Sequence, residues 1–148
     1  MKKLLLIPLV LLAFSLNLNL ALAGAMEKQM QDSEDRAKAA IIQTLDRYID
    51  AAVKGDSKVA EPAFAPLATM SYAEKGKLVT VPIKELFAYY DKTGPHQASY
   101  KITSMTISGD VACVSIDSKF GQTSFDDMFT LVRDGDQWKI VSKVYHIK

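Results

Sequence analysis

The residue of this chain whose type and position could do chemistry is Asp127, in the closing stretch FDDMFTLVRDGDQWKIVSKVYHIK, residues 125–148. Two runs of alternating apolar and polar residues flank Asp134-Gly135, a tight-turn signal that predicts a β-hairpin. Counting outward from a two-residue turn there places Asp127 on the apolar face, opposite Ser142. Burial among apolar side chains favours the protonated form of a carboxylate, which suits Asp127 to act as a general acid or base.

A structural role for Asp127 is the alternative. Near the end of its strand the carboxylate would be hydrated or hydrogen-bonded to Ser142 or to a backbone N–H, and without a second fixed acid–base partner we favour this role. A register shift of one residue would bring Asp126 to the apolar face instead. In the predicted register Asp126 lies on the other face, paired with Lys143. The predicted apolar face also joins Leu131 with Trp138, Phe129 with Ile140, and Phe125 with Val144. Its aromatic rings could stack on a flat ligand, although rings at strand spacing more often belong to a core.

Outside the hairpin, the residues that could do chemistry form no recognisable site. His96 and His146 are fifty residues apart, and with a single cysteine they show no metal-ligand spacing, so we expect neither a metal nor a cofactor. Cys113 has no second cysteine for an intramolecular disulfide and, in a predicted strand, is expected to pack as a small apolar side chain. The chain contains no glycine-rich phosphate loop and no nucleophile elbow.

The N-terminus has the pattern of a secretory signal peptide. Its first three residues, MKK, are basic at positions 2 and 3, residues 4–16 are apolar, and residues 21–23, ALA, match an A-x-A cleavage site. We predict a signal peptide over residues 1–23 and export to the periplasm or the outside, with no stable membrane insertion after cleavage. An uncleaved membrane anchor is the alternative.

The charge balance argues against a nucleic-acid partner. Without residues 1–23 the chain loses two lysines and no acid, which leaves 16 basic and 17 acidic side chains and a net charge of −1. No dense basic patch occurs along the chain, so we expect no nucleic acid to bind.

Helices come first in the predicted domain, residues 36–148, which follows a polar segment, residues 24–35, that we expect to be flexible. A helix is predicted from Arg36 to Gly55. Its apolar stripe comprises Ile41, Ile42, Leu45, Tyr48, Ile49, Ala52 and Val53. A short helix is predicted over residues 57–64, and a small hairpin that turns at Gly76 is predicted over residues 68–81. A third helix, residues 82–95, is predicted to begin at Pro82 and to be ended by Gly94-Pro95.

Long strands complete the chain. In the first strand, residues 97–108, the apolar residues change from even-numbered to odd-numbered positions between Ile102 and Met105, which predicts a β-bulge. Helices followed by hairpin-linked strands predict an α+β fold, a curved antiparallel sheet wrapped around N-terminal helices. Such a cone leaves a concave interior where ligands often bind. The candidate pocket residues are Tyr48, Phe87, Tyr90, Phe125, Asp127, Phe129, Trp138 and Ser142.

This order of motifs resembles the nuclear transport factor 2-like superfamily, with its cystatin-like cone fold, and within it the family named putative lumazine-binding proteins. The resemblance is carried by the helix IIQTLDRYIDAAVKGD, the segment FAPLATMSY, the helix after Pro82 and the closing FDDMFTLVRDGDQWKIVSKVY. It covers roughly residues 37–145. Because relatives include isomerases, cyclases, dehydratases, transport factors and dimerisation modules, the resemblance implies a fold more firmly than an activity. It also implies a homodimer.

Isomerase-like relatives pair an inward carboxylate with a tyrosine or a second acid that stabilises an oxyanion. Tyr48, Tyr72, Tyr90 and Tyr100 could supply that hydroxyl here, but no motif places one of them opposite Asp127. The leading hypothesis is therefore non-catalytic binding of a small apolar or aromatic molecule in the cone. The alternatives are an isomerase, cyclase or dehydratase with Asp127 as its base, and a dimerisation or protein-interaction module with a filled cavity.

Overall fold

The computed structural model describes residues 8–148 and the surroundings of side chains from residue 22 onward. Residues 1–37 and 38–148 form two units, and the described residues of the first unit are helical. The predicted signal peptide, residues 1–23, lies partly outside the described residues. Both it and the predicted flexible segment, residues 24–35, stay predictions.

The described chain contains three α-helices, one 3₁₀ turn and six strands. The helices are α1 (Pro8–Lys54), α2 (Ser57–Ala60) and α3 (Lys84–Thr93), and the 3₁₀ turn is Glu61–Ala63. The strands are β1 (Phe64–Glu74), β2 (Lys77–Pro82), β3 (Ala98–Ser108), β4 (Val111–Phe120), β5 (Thr123–Asp134) and β6 (Gln137–Ile147). None of the described helices combines the length and the hydropathy that crossing a membrane requires.

The long helix α1 carries the predicted apolar stripe with two corrections. Its buried side chains include Ile41, Leu45, Tyr48, Ile49 and Ala52. Ile42 and Val53, at the two edges of the stripe, remain 38% and 43% exposed, so the buried face is narrower than predicted. The helix also begins before the predicted Arg36, since the preceding residues include many good helix formers.

Gly55 allows the chain to leave α1 at a close approach to another turn. It has a φ of +63°, and a Cβ at this position would overlap the backbone of Gly94. Asp56 then caps α2, accepting a hydrogen bond from the Lys58 N–H at 3.0 Å. Ser57 joins α2 to α3, because its N–H and its hydroxyl both donate to the Asp91 carboxylate.

The six strands form one mixed, curved and unclosed sheet in the order β2-β1-β6-β5-β4-β3. The α+β class and the cone architecture are confirmed. Neighbouring strands pair antiparallel except β1 and β6, which pair parallel, so the sheet is not antiparallel throughout as predicted. The predicted β-bulge in β3 is confirmed, because its register with β4 shifts between Ile102 and Ser104.

The predicted register of the closing hairpin is wrong. Asp134 pairs with Gln137, so the two-residue turn is Gly135-Asp136, one residue later than predicted. A second shift follows where Leu131 pairs with Ile140 but Thr130 pairs with Ser142, which leaves Val141 as a bulge in β6. Asp127 consequently lies opposite Tyr145, not Ser142.

The outer face of the sheet exposes a group of apolar side chains. Val132 pairs with Val111, and Met128 pairs with Val144. All four are between 37% and 58% exposed. Cys113, opposite Thr130 on this face, is exposed as well. The expectation that Cys113 packs inside is therefore wrong, since in β4 the buried positions are the even-numbered ones.

Candidate ligand-binding site

A cavity of about 450 Å³ opens where α1, α3 and the ends of β4, β5 and β6 meet. Its walls are largely aromatic and apolar. They comprise Tyr48, Met70, Glu85, Leu86, Tyr89, Tyr90, Phe120, Thr123, Phe125, Lys143, Tyr145 and Ile147. Phe120 and Thr123 pair across the β4–β5 turn, and Phe125 pairs with Ile147, so these strand ends supply one wall. The cavity is large enough for a small organic molecule.

A buried polar cluster adjoins this cavity through Lys143. The Lys143 ammonium donates to Asp127 Oδ1 at 2.5 Å, and the Ser118 hydroxyl donates to Asp127 Oδ2 at 2.5 Å. All three residues are buried: Asp127 is 1% exposed, Lys143 3% and Ser118 4%. Both carboxylate oxygens therefore hold a charge-assisted hydrogen bond, which is how proteins tolerate a buried carboxylate.

Strand geometry explains why these residues meet. Asp127 faces inward with Phe129 and Leu131 by the period-2 alternation of β5. The Val141 bulge reverses the alternation of β6, so that Lys143 turns inward while Val144 becomes exposed. Ser118 stands diagonally across from Asp127 on β4, close enough to reach its carboxylate.

Aromatic rings surround the Lys143 ammonium. Its Nζ lies 4.1 Å from the centroid of the Tyr145 ring, 5.7 Å from that of Tyr48 and 6.0 Å from that of Phe129. Positive charge is attracted to the face of an aromatic ring, so these rings replace part of the hydration that the ammonium loses. The Tyr48 ring is itself held edge-on against Phe120 and Phe129.

Burial shifts the ionisation of the groups in and around this cavity. It lowers the pKa of the Lys143 ammonium, against the opposing attraction and hydrogen bond of Asp127. The pKa of the Tyr48 hydroxyl is raised well above its usual 10.0 by burial first, and then by the nearby charges of Tyr90 and Asp127. Burial likewise raises the pKa of the Tyr90 hydroxyl and that of the Tyr145 hydroxyl, although Tyr145 is less completely buried. The tyrosines are therefore neutral hydrogen-bonding groups under ordinary conditions.

The predicted pocket residues divide into four groups. Tyr48, Tyr90 and Phe125 line the cavity. Asp127 and Phe129 are buried behind it, and Trp138 is a core residue whose carbonyl accepts a hydrogen bond from Thr44. Phe87 lines a different cavity, between α2, α3 and β1, and packs edge-on against Phe64. Ser142 is half-buried beyond the bulge.

Sequence reasoning placed Lys143 on the wrong face and passed over Ser118 and Tyr145. The predicted pair of Asp126 with Lys143 does not form; Asp126 instead pairs with Lys148 at 2.8 Å, and Lys143 pairs with Asp127. Ser118 could have been found, since it has the same parity as Val114 and Ile116 in β4. In the described residues, no group of three or more His, Cys, Asp or Glu side chains could hold a metal ion.

The family model described as putative lumazine-binding matches residues 36–146. The chain belongs to the putative lumazine-binding family. Its place in the nuclear transport factor 2-like superfamily, with the cystatin-like fold, is confirmed as well. The match spans α3, strands β1 to β5, all of β6 but Ile147 and the part of α1 that carries Tyr48, and so includes every residue of the cavity wall except Ile147.

Two solved structures agree with this placement, and a curated protein is similar in sequence. An NTF2-like protein of unknown function from Shewanella baltica OS155 is 32% identical, with 76% of this chain and 94% of that chain covered and a TM-score of 0.71. Another, from Silicibacter pomeroyi DSS-3, is 25% identical, with 78% and 98% covered and a TM-score of 0.71. The curated relative, aldolase FrzH from Cladobotryum sp, is 27% identical over 124 residues, 82% of this chain and 97% of its own length.

Proposed function

We propose that this domain binds a small aromatic or apolar molecule in the cavity beside Lys143, without catalysing a reaction on it. The observation that carries the proposal is the open cavity of about 450 Å³, walled by aromatic and aliphatic side chains. Pockets that hold small organic ligands are typically of this size, about 300–1,000 Å³, and of this character. A cavity of this volume argues against the hypothesis of an interaction module with a filled cone.

The walls indicate what kind of molecule fits. Tyr48, Phe125 and Tyr145 present ring faces and edges on which a flat ring can stack. Lys143 adds hydrogen-bond donors: an ammonium carries three N–H groups, and one of them is held by Asp127. Because Asp127 balances the charge of Lys143, the site favours a neutral ligand or one with a single acceptor oxygen over a highly charged one.

Titration with the fluorescent dye anilinonaphthalene sulfonate tests the proposal. Leu86→Trp fills the cavity from α3, and Leu78→Trp adds the same ring at an 80% exposed site outside it. We expect wild type and Leu78→Trp to bind the dye alike, and Leu86→Trp to bind it at least about tenfold more weakly, a loss of about 1.4 kcal/mol. Equal binding by all three proteins would contradict the proposal.

We also propose that the protein is exported and that residues 1–23 are removed. The basic start, the apolar segment and the A-x-A site support this. Mass spectrometry of the protein recovered from its own cells should give a chain that begins at Gly24 and lies outside the cytoplasm. An intact chain that begins at Met1 would contradict cleavage.

A homodimer formed through the outer sheet face is part of the proposal. Val111, Met128, Val132 and Val144 form exposed apolar pairs on neighbouring strands there, and such groups often mark an interface. Sedimentation velocity should show a dimer for wild type and a monomer for Met128→Lys, with Leu78→Lys as the matched control. A monomeric wild type would contradict the dimer.

Catalysis at Asp127 is the second candidate. Complete burial of this carboxylate favours it, and a relative named as an aldolase is compatible with carbonyl chemistry at this position. Against it, Asp127 does not line the cavity and both its oxygens are engaged. If Asp127 were a general base for an isomerase, cyclase or dehydratase, Asp127→Asn would abolish turnover and preserve dye binding.

A further inference from the structure

Lys143 differs from every other lysine whose side chain the structure describes. Lys143 is buried and lines the cavity, whereas the other described lysines are exposed or, at Lys38 and Lys139, half-buried. Its Nζ stands between the Asp127 carboxylate and the Tyr145 ring, at 2.5 Å from Oδ1 and 4.1 Å from the ring centroid. The ammonium is thus placed at the boundary between the polar cluster and the ligand space.

Stability alone does not account for this arrangement. A buried ion pair loses so much hydration that replacing both partners by apolar residues is often neutral or stabilising. The Asp127–Lys143 pair is fully buried, and its removal would leave an apolar cavity wall. A lysine that is held in such a place instead has the environment in which amines become nucleophilic, because desolvation disfavours the charged form.

We propose that Lys143 is a nucleophilic amine that forms a reversible imine with an aldehyde or ketone bound in the cavity, with Asp127 as its proton partner. The inference rests on the proposed ligand-binding function and names the chemical class of ligand that the site retains covalently. An aromatic aldehyde suits the ring-lined wall and places its carbonyl carbon at the amine.

Imine formation needs no group beyond the ligand, Lys143 and Asp127. Asp127 takes a proton from the Lys143 ammonium, and the neutral amine attacks the carbonyl carbon, forming the C–N bond. The nitrogen then passes a proton to the former carbonyl oxygen, which gives a neutral carbinolamine. Asp127 returns its proton to the nitrogen, from which a proton moves to the hydroxyl as water leaves. The products are a protonated imine on Lys143, paired with the Asp127 carboxylate, and one water, and no oxidant or reductant takes part. Burial, which lowers the pKa of Lys143, supports the availability of the neutral amine.

Borohydride trapping tests the proposal. The mature protein is incubated with benzaldehyde at neutral pH, reduced with sodium borohydride, digested and mapped by mass spectrometry. Trapping adds the mass of the aldehyde less one oxygen atom at the labelled lysine. The cavity holds the aldehyde beside Lys143, and burial increases the neutral fraction of its amine, so Lys143 should be labelled at least about tenfold more than exposed Lys119.

Two variants act as controls. Lys143→Arg keeps a cation beside Asp127 and forms no stable imine, so labelling above the level of surface lysines should disappear. Leu86→Trp should reduce labelling of Lys143 but not of Lys119. The map of labelled lysines in the wild-type protein tests the inference even if a variant does not fold. Labelling that is spread evenly over the surface lysines, or that is absent from Lys143, overturns the inference. If the dye still binds in that case, the proposed ligand-binding function stands; if the dye does not bind either, both fail.

Discussion

Removing one partner of the buried ion pair should destabilise the domain far more than removing both. Lys143→Met leaves the Asp127 carboxylate buried with only the Ser118 hydroxyl, and Asp127→Leu leaves the ammonium without a counter-charge. Each single substitution should cost about 3–5 kcal/mol, the usual penalty for an uncompensated buried charge. Small domains are stable by only about 5–15 kcal/mol, so either loss is a large fraction of the total.

The double variant Asp127→Leu/Lys143→Met removes both charges and leaves Ser118 unpaired, at about 1–3 kcal/mol. The summed losses of unfolding free energy in the two single variants should therefore exceed the loss in the double variant by several kcal/mol. Urea unfolding followed by the fluorescence of Trp138, a buried core residue, measures all four proteins. The control cycle uses Asp50 and Lys54, an exposed pair at 3.9 Å, for which a coupling of about 0–1 kcal/mol is expected. Additive costs at Asp127 and Lys143 would refute the buried pair.

The pH dependence of this pair has a definite sign. Asp127→Asn removes the charge and hydrogen bond that raise the pKa of Lys143, leaving burial, which lowers it below the usual 10.5. The folded lysine then releases its proton at a lower pH than the unfolded lysine does. Between those two pKa values the unfolded state binds more protons, so stability rises with pH. The double variant Asp127→Asn/Lys143→Met has the same tyrosines and serves as the reference. Relative to this reference, the free energy of unfolding of Asp127→Asn should increase with pH between the two pKa values of Lys143. A difference that stays constant with pH would contradict the lowered pKa of Lys143.

Two further predictions concern the frame of the site. Gly55→Ala should lower the free energy of unfolding in urea by at least about 2 kcal/mol more than Gly76→Ala does. Both residues have a positive φ, but only at Gly55 would the new Cβ overlap backbone atoms, those of Gly94. Equal costs of the two substitutions would contradict this close approach. Lys148→Met should raise the pKa of Asp117 towards its ordinary 3.8, because hydrogen bonding by Lys148 holds that pKa down. An NMR titration of the carboxyl groups measures this change. An unchanged Asp117 pKa would show that the contact with Lys148 does not form in solution.

Local patterns predicted what depends on local geometry. The stripe on α1, the parity change that marks the bulge in β3 and the inward direction of Asp127 follow from helical and strand periods. These rules identify the side of an element that packs. They placed Asp127 on the buried face. The expectation that a register shift of one residue would bring Asp126 there instead was wrong: the turn is displaced by one residue, but this does not alter the alternation along β5.

The partners of Asp127 depended on features that no local pattern determines. In β6 the residues around Val141 are compatible with an unbroken strand or with a bulge, and only the bulge brings Lys143 inward. The parallel pairing of β1 with β6 joins segments about seventy residues apart, without a turn to signal it. A lysine in an amphipathic strand is ordinarily expected outside, since a buried charge requires a partner that the sequence does not show.

Native mass spectrometry of the protein purified from its own host tests the central claim of ligand binding most directly. We predict that wild type carries an extra mass, and that Leu86→Trp, in which the cavity is filled, lacks it while Leu78→Trp keeps it. Loss of this mass on denaturation would indicate non-covalent binding, and its survival until acid hydrolysis would indicate the imine at Lys143. Wild type without any retained molecule, or Leu86→Trp with the same molecule as wild type, would contradict the claim.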